Sequence, residues 1–149
     1  MSIWKQRADP EKLNAWNSRT LMGALDIRIT EIGEDYLRGT MSVDARTHQP
    51  YGILHGGASV ALAETLGSTA AMLCCGEDRA VVGLEINANH LRAVRDGIVT
   101  GTARPIHVGR STQVWDIRIE NEAGELTCIA RLTMAVVPAG VFATKPDPA

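Results

Sequence analysis

Residues 49–68 have the sequence QPYGILHGGASVALAETLGS, in which a polar loop with glycines leads into a long apolar segment. From Ala58 to Cys75 nearly every residue is small or apolar, and Glu64 is the one charged residue in that range. A segment that is apolar on all sides is typical of a helix buried on most of its surface. An unpaired buried carboxylate costs free energy, so we expect Glu64 to be paired, protonated or functional.

Six strand candidates flank this segment, two before it and four after it. The first two alternate apolar and polar residues in the manner of half-buried strands. The candidates span residues 24–30, 37–43, 80–92, 98–108, 112–120 and 126–137. A short helix that begins at Asp9-Pro10 and a helical turn over 20–25 precede them. This order predicts an α+β fold in which an antiparallel sheet of about six strands wraps around one long central helix.

The length and charge of the chain limit its class. Its 149 residues fit one domain, which we expect to span residues 1–137, followed by a frayed tail over 138–149 that contains three prolines. A net charge of −2 gives no general attraction to nucleic acid or to anionic membranes, and neither is predicted as a partner. The apolar run around Glu64 approaches the length of a membrane span, but a carboxylate at its centre argues against one.

The remaining composition favours a cytoplasmic protein without a metal. The amino-terminal residues lack the continuous apolar stretch of a signal peptide. Three cysteines, two of them adjacent at 74 and 75, make a poor disulfide framework, which fits a reducing compartment. The four histidines show no spacing typical of zinc ligands, so no metal site is expected. The G-x-S-x-G pattern of serine hydrolases does not occur.

The loop and helix start at residues 49–64 resemble the hotdog-fold acyl-CoA thioesterases. Within that family they are similar to the PaaI-like branch that holds the Arthrobacter-type 4-hydroxybenzoyl-CoA thioesterase, 1,4-dihydroxy-2-naphthoyl-CoA hydrolase and the enterobactin proofreading thioesterase. The sequences at 25–28, 82–90 and 113–115 share the resemblance, which thus covers most of the chain. His-Gly-Gly alone would be a weak signal, whereas its combination with Glu64 in an apolar helix is specific.

The resemblance implies a thioester hydrolase that cleaves an acyl-CoA, with an aromatic acyl group such as 1,4-dihydroxy-2-naphthoyl or benzoyl expected. It implies no cofactor, because coenzyme A is part of the substrate. It also implies a homodimer, expected to form a homotetramer as a dimer of dimers, with active sites at the dimer interface. Two alternatives stay open: a proofreading thioesterase that acts on aryl-carrier-protein thioesters, and a non-catalytic acyl-CoA binding module that would not need Glu64.

The functional residues of the family carry over to five positions around the loop and the helix. Glu64 is implied as the catalytic carboxylate, either as nucleophile or as general base on water. The Gly56 N–H, at the helix start, is implied as the donor that polarises the thioester carbonyl. Gln49 and His55 would line the same site, and Ser68 would lie one helical turn beyond Glu64. In such dimers Glu64 acts across from the loop of the other subunit.

The coenzyme A moiety is expected to contact a second set of residues near the predicted strand ends. This set consists of His90, Arg92, Gly109, Arg110 and Ser111. Arginine side chains suit the phosphates of coenzyme A, since guanidinium groups bind phosphate through paired hydrogen bonds.

Most of these residues also have a structural interpretation. Glu64 would be a structural carboxylate if backbone or serine donors satisfied it. His55 would cap the helix or hold the loop rather than face the substrate, and Ser68 would bond the preceding helical turn. Histidines on strands are most often packed or exposed, and surface arginines are most often solvated.

Overall fold

A computed structural model describes residues 1–142 of the chain. This part contains three α-helices, six β-strands and a final 3₁₀ turn. The helices are α1 (Pro10–Asn17), α2 (Leu21–Ala24) and α3 (Gly56–Leu73). The strands are β1 (Arg28–Ile32), β2 (Leu37–Ser42), β3 (Arg79–His90), β4 (Ile98–Val108), β5 (Thr112–Glu120) and β6 (Leu126–Pro138), and the 3₁₀ turn spans Ala139–Phe142.

The six strands form one antiparallel sheet in the order β1-β2-β4-β5-β6-β3. The edges of this sheet are β1 and β3, and α3 packs against the five strands β2 to β6. Large buried side chains fill the core, among them Leu62, Leu66, Trp115, Ile117 and Leu132. The predicted α+β fold, with the sheet wrapped around one long helix, is confirmed.

Two glycines explain how closely α3 lies on the sheet. Gly39 of β2 and Gly101 of β4 are register partners. A Cβ atom on Gly39 or on Gly101 would lie 2.7 or 2.6 Å, respectively, from a methyl carbon of Leu66, which is closer than real Cβ atoms approach another atom. Because neither glycine has a side chain, the neighbouring strands leave a depression in the sheet surface, and Leu66 of α3 packs into it.

Residues 3–6 form a strap across the carboxyl end of α3. The backbone N–H groups of Lys5 and Gln6 donate to the Leu73 carbonyl, at 2.8 and 3.1 Å. The side-chain amide of Gln6 donates to the carbonyls of Met72 and Cys75, at 3.1 and 2.9 Å. The last carbonyls of a helix have no partners in the helix itself, so the strap supplies donors that α3 lacks.

The structure differs most from the sequence-based ranges at two places, and the other strand bounds agree within two residues. The first strand begins at Arg28 rather than at residue 24, because α2 extends to Ala24 and Asp26 then adopts a left-handed backbone with φ of 54°. Part of the predicted tail is ordered as the end of β6 and the 3₁₀ turn, and the rest of that tail, 143–149, lies outside the described residues. Within residues 1–142 no helix has both the length and the apolar content that crossing a membrane requires.

Candidate active site

The start of α3 presents a backbone N–H group that has no acceptor within residues 1–142. The Gly57 N–H donates to Nδ1 of His55 at 2.8 Å, and the Ala58 N–H donates to the His55 carbonyl at 3.0 Å. The Gly56 N–H makes no such bond. It points from the positive end of the α3 dipole, which favours a negatively charged or polarised oxygen. This group is therefore suited to bind a carbonyl oxygen.

His55 is the N-cap of α3. Its backbone is extended, with φ of −66° and ψ of 132°, and its Nδ1 accepts the hydrogen bond from Gly57. A ring nitrogen that accepts carries no hydrogen, so in the neutral ring the hydrogen is on Nε2. Of the roles that the sequence left open for His55, the structure shows the capping one.

A cleft of about 360 Å³ opens beside the start of α3. Its lining includes four of the residues predicted for the site: Gln49, Gly56, His90 and Arg92. The His90 ring lies against Gly56, because a Cβ atom on Gly56 would be 2.9 Å from Nε2 of His90. The absence of a side chain at position 56 keeps the N–H accessible and lets the imidazole approach the helix start.

Gln49 and Arg92 line this cleft, and their polar side-chain groups make few interactions with the described part of the chain. The Oε1 atom of Gln49 accepts the Tyr51 N–H, while no acceptor among the described residues bonds its side-chain nitrogen. Arg92 lies 3.6 Å from the Glu125 carboxylate, and both side chains are about half exposed. An exposed ion pair of this length contributes little, so the guanidinium remains available to an anion.

Glu64 lies on the part of α3 that faces the edge strand β3. Its Oε1 would be 2.8 Å from a Cβ atom on Gly83, so the carboxylate rests directly on the glycine backbone. The side chain is half-buried in the single chain, whereas the sequence predicted burial; the open edge of the sheet is the reason. No hydrogen bond or ion pair to Glu64 occurs in the described part of the chain.

Ser68 lies one turn beyond Glu64, as predicted, and is also half-buried. Its Oγ is 3.7 Å from the sulfur of Met134 and makes no bond to the preceding turn within the described residues. The hydroxyl that does bond the preceding turn is that of Thr65, which donates to the Ala61 carbonyl at 2.7 Å. The hydroxyl of Ser68 is thus directed at Met134 of β6.

Within one chain, Glu64 and the Gly56 N–H belong to different surface regions. Glu64 does not line the cleft beside Gly56. Eight residues of α-helix separate the two positions by about 12 Å along the axis. On β3, Glu64 contacts Gly83 and Gly56 contacts His90. These two strand residues are seven positions apart, which corresponds to about 23 Å of extended strand. A single chain therefore does not bring the carboxylate to the N–H group that it is predicted to work with.

The predicted coenzyme A contacts divide into two places in the chain. His90 and Arg92 line the cleft beside Gly56. Gly109, Arg110 and Ser111 form the turn between β4 and β5, and the first two line a different cleft, of about 470 Å³, beside Cys74 and Cys75 at the other end of α3. Since α3 has 18 residues, its ends lie about 27 Å apart. One chain does not unite the five residues in one site.

The buried cysteines are poor candidates for an alternative nucleophile. Burial raises the pKa of Cys74 to about 11 and raises the pKa of Cys75 and Cys128 as well. These thiols therefore stay protonated at neutral pH, and a protonated thiol is a weak nucleophile. Residues 1–142 hold no cluster of three or more His, Cys, Asp or Glu side chains that could bind a metal ion.

Two neighbours of Glu64 escaped the sequence-based prediction. Gly83 lies under the carboxylate, and Met134 of β6 lies beside both Glu64 and Ser68. A glycine inside a strand often marks the close approach of another group, and this was the available signal for Gly83. Met134 gave none, because a methionine in a strand is normally a core residue.

Comparisons with known proteins agree on one family. Residues 51–128 match the family model described as the thioesterase superfamily. The chain is 53% identical over 135 residues to 1,4-dihydroxy-2-naphthoyl-CoA hydrolase of Escherichia coli, covering 91% of this chain and 99% of that protein. It is 51% identical to the proofreading thioesterase EntH of Cronobacter turicensis, covering 91% and 98%. The crystal structure of thioesterase HI1161 from Haemophilus influenzae superimposes with a TM-score of 0.90 at 52% identity, covering 91% of this chain and 95% of that one.

Proposed function

Because this chain belongs to the thioesterase superfamily and is a thioester hydrolase, we propose that it hydrolyses aromatic acyl-CoA thioesters through Glu64 and the Gly56 N–H. The observation that carries the proposal is the helix start: the Gly56 N–H has no acceptor among residues 1–142, while its neighbour Gly57 donates to His55. Such a donor is held in place by the fold before substrate binds, and it faces an open cleft.

The Gly56 N–H supplies stabilisation of the charge that develops on the carbonyl oxygen. Attack on a thioester moves negative charge onto that oxygen, and a fixed N–H at a helix start meets it without further reorganisation. One donor of this kind is typically worth about 3 kcal/mol of the barrier. Because residue 56 has no side chain, its N–H stays accessible although the His90 ring lies close to it.

Glu64 supplies the attack on the acyl carbon. As general base it takes a proton from water while the water oxygen bonds to the acyl carbon; as nucleophile it forms a mixed anhydride that water then opens. On either route the carbon–sulfur bond breaks and coenzyme A leaves as the thiol. The absence of a structural hydrogen bond to Glu64 within residues 1–142 supports a carboxylate kept available for this chemistry.

The proposed site is shared between two subunits. In one chain, the carboxylate and the Gly56 N–H lie apart, and the Gly109–Ser111 turn lies at the far end of α3 from His90. In the part of the chain that the structure describes, the 12-residue edge strand β3 pairs with a strand on one side alone, and its Leu84 is 63% exposed. An open edge of this length is a template for pairing with a second chain. We therefore propose a homodimer that joins at β3.

The acyl group we favour is 1,4-dihydroxy-2-naphthoyl, because the relative from Escherichia coli carries that substrate in its name and is 53% identical over nearly its whole length. The similarity to EntH, at 51% identity, makes an aryl-carrier-protein thioester the second candidate. A panel of thioesters assayed by release of free thiol tests both. We expect the highest kcat/KM with 1,4-dihydroxy-2-naphthoyl-CoA, ahead of benzoyl-CoA and straight-chain acyl-CoA. A higher value for the carrier-protein thioester would favour the second candidate.

Glu64→Gln tests the catalytic assignment. We expect kcat to fall by about 10³-fold, since the amide neither attacks nor takes a proton, a loss within the range for removal of a general base. The matched control is Glu11→Gln, an exposed carboxylate on α1, which packs on β1 at the opposite edge of the sheet from β3. This control should keep wild-type turnover. A Glu64→Gln enzyme within tenfold of wild type, with fold and oligomer mass unchanged, would refute the assignment.

A further inference from the structure

The contact between Glu64 and Gly83 is closer than any other residue type at position 83 would permit. A Cβ atom on Gly83 would lie 2.8 Å from Oε1 of Glu64, a distance at which one of the two groups must shift. The far end of a glutamate is the flexible partner, whereas Gly83 is fixed by its pairing with Met134 of β6. Any side chain at position 83 would therefore displace the carboxylate rather than the strand.

A bulge in β3 directs Gly83 toward the helix. The register runs from the pair Gly83–Met134 to the pair Glu85–Thr133, so Leu84 is an extra residue without a partner in β6. An extra residue exchanges the faces of the strand beyond it. Gly83 thus pairs with the buried Met134 and faces Glu64 of α3 at the exposed edge of the sheet, while Glu85 pairs with Thr133.

From this geometry we propose that Gly83 is a positioning residue for Glu64: its bare backbone sets where the catalytic carboxylate lies. The proposal rests on the function proposed above for Glu64. No hydrogen bond or salt bridge orients this carboxylate within residues 1–142, so the packing surface beneath it is what defines its position. The sulfur of Met134, 3.9 Å from the same Cβ position, bounds that surface on a second side.

The expected effect follows from the sensitivity of catalysis to geometry. A misplacement of about 1 Å at a reacting group can lower turnover by about 10²-fold. We expect Gly83→Ala to lower kcat by about 10- to 100-fold. The KM for the acyl-CoA should be unchanged, because residue 83 does not line the cleft beside Gly56. The matched control is Val82→Ala, the neighbouring position of the same strand, which should keep the wild-type kcat. Oligomer mass is measured for both variants.

A double-mutant cycle with Glu64→Asp separates positioning from a general effect on the strand. Aspartate is one methylene shorter, so its carboxylate no longer meets the added Cβ atom. We expect Gly83→Ala to cost less than about threefold in kcat in the Glu64→Asp background, because residues in direct contact act non-additively. An equal loss in both backgrounds, a Gly83→Ala enzyme with wild-type kcat, or a rise in KM with kcat unchanged would overturn the proposal.

Folding provides a second measurement that does not depend on turnover. If Gly83→Ala fails to fold, Glu64→Ala/Gly83→Ala should fold as Glu64→Ala does, since the atom that the new Cβ meets is gone. Failure of that double variant to fold would overturn the proposal. The outcome for Glu64 itself is separate: an inactive Glu64→Gln beside a fully active Gly83→Ala would reject the positioning role and leave the proposed function intact.

Discussion

At the scale of single residues, His55 determines which N–H groups at the start of α3 are already hydrogen-bonded and which one is available. Its imidazole accepts from Gly57 and its carbonyl accepts from Ala58 and Ser59, so three of the first four N–H groups of α3 bond to this one residue. The donor left over is that of Gly56, beside the cleft. A helix start normally offers several N–H groups to an anion. Here the His55 cap leaves one N–H group, that of Gly56, available to a ligand.

His55→Ala should lower the free energy of unfolding by about 1 kcal/mol, the usual cost of losing an N-cap acceptor. His55→Ser should lose only part of this, because serine is itself a preferred N-cap and its oxygen can accept from the same helix turn. Urea unfolding of both variants measures the difference. A His55→Ala protein as stable as wild type would show that the bond from Gly57 to Nδ1 contributes little.

At the scale of elements, alternation and apolar content predicted most of the fold. The ranges of β4 and β5 agree with the structure residue for residue, and α3 lies where the apolar segment around Glu64 predicted it. The bulge at Leu84 was not predictable, because a period of two does not show an inserted residue. The register with β6 is therefore needed to assign the faces of β3 beyond Leu84.

The carboxyl end of α3 depends on a residue far away in the sequence. Gln6→Ala should lower the free energy of unfolding by about 1–2 kcal/mol, because it removes two hydrogen bonds to the Met72 and Cys75 carbonyls. Arg7→Ala, an exposed neighbour, is the matched control and should lie within about 0.5 kcal/mol of wild type. Chemical unfolding at fixed protein concentration measures both. A Gln6→Ala protein as stable as the control would mean that water replaces the amide without loss.

At the scale of the whole molecule, the candidate site was only partly predictable because its pieces lie on different faces of one chain. Gln49 and Gly56, predicted for catalysis, share one cleft with His90 and Arg92, predicted for coenzyme A. Glu64 and the Gly109–Ser111 turn lie elsewhere. Spacing along a sequence carries no information about which groups a second chain brings together. One chain forms the fold, whereas the active site that we propose needs two chains.

A complementation experiment tests this shared site directly. Glu64→Ala removes the carboxylate, and Gly56→Val fills the cleft at the N–H, so each homodimer should be inactive. Random pairing of the two coexpressed chains makes about half of the dimers mixed, and in a two-fold dimer each mixed pair holds one site with both defects and one with neither. We therefore expect about a quarter of wild-type activity from the mixture.

The control pairs Glu64→Ala with Glu64→Gln, two defects on the same side of the site, and should show no recovery. Thiol release from the whole purified mixture of dimers is the measurement, with oligomer mass checked for every combination. If carboxylate and N–H acted within one chain, every site in every combination would carry a defect. The mixture would then show only the sum of the two parent activities. A full quarter of the activity arises only if each site takes its acid from one chain and its helix start from the other.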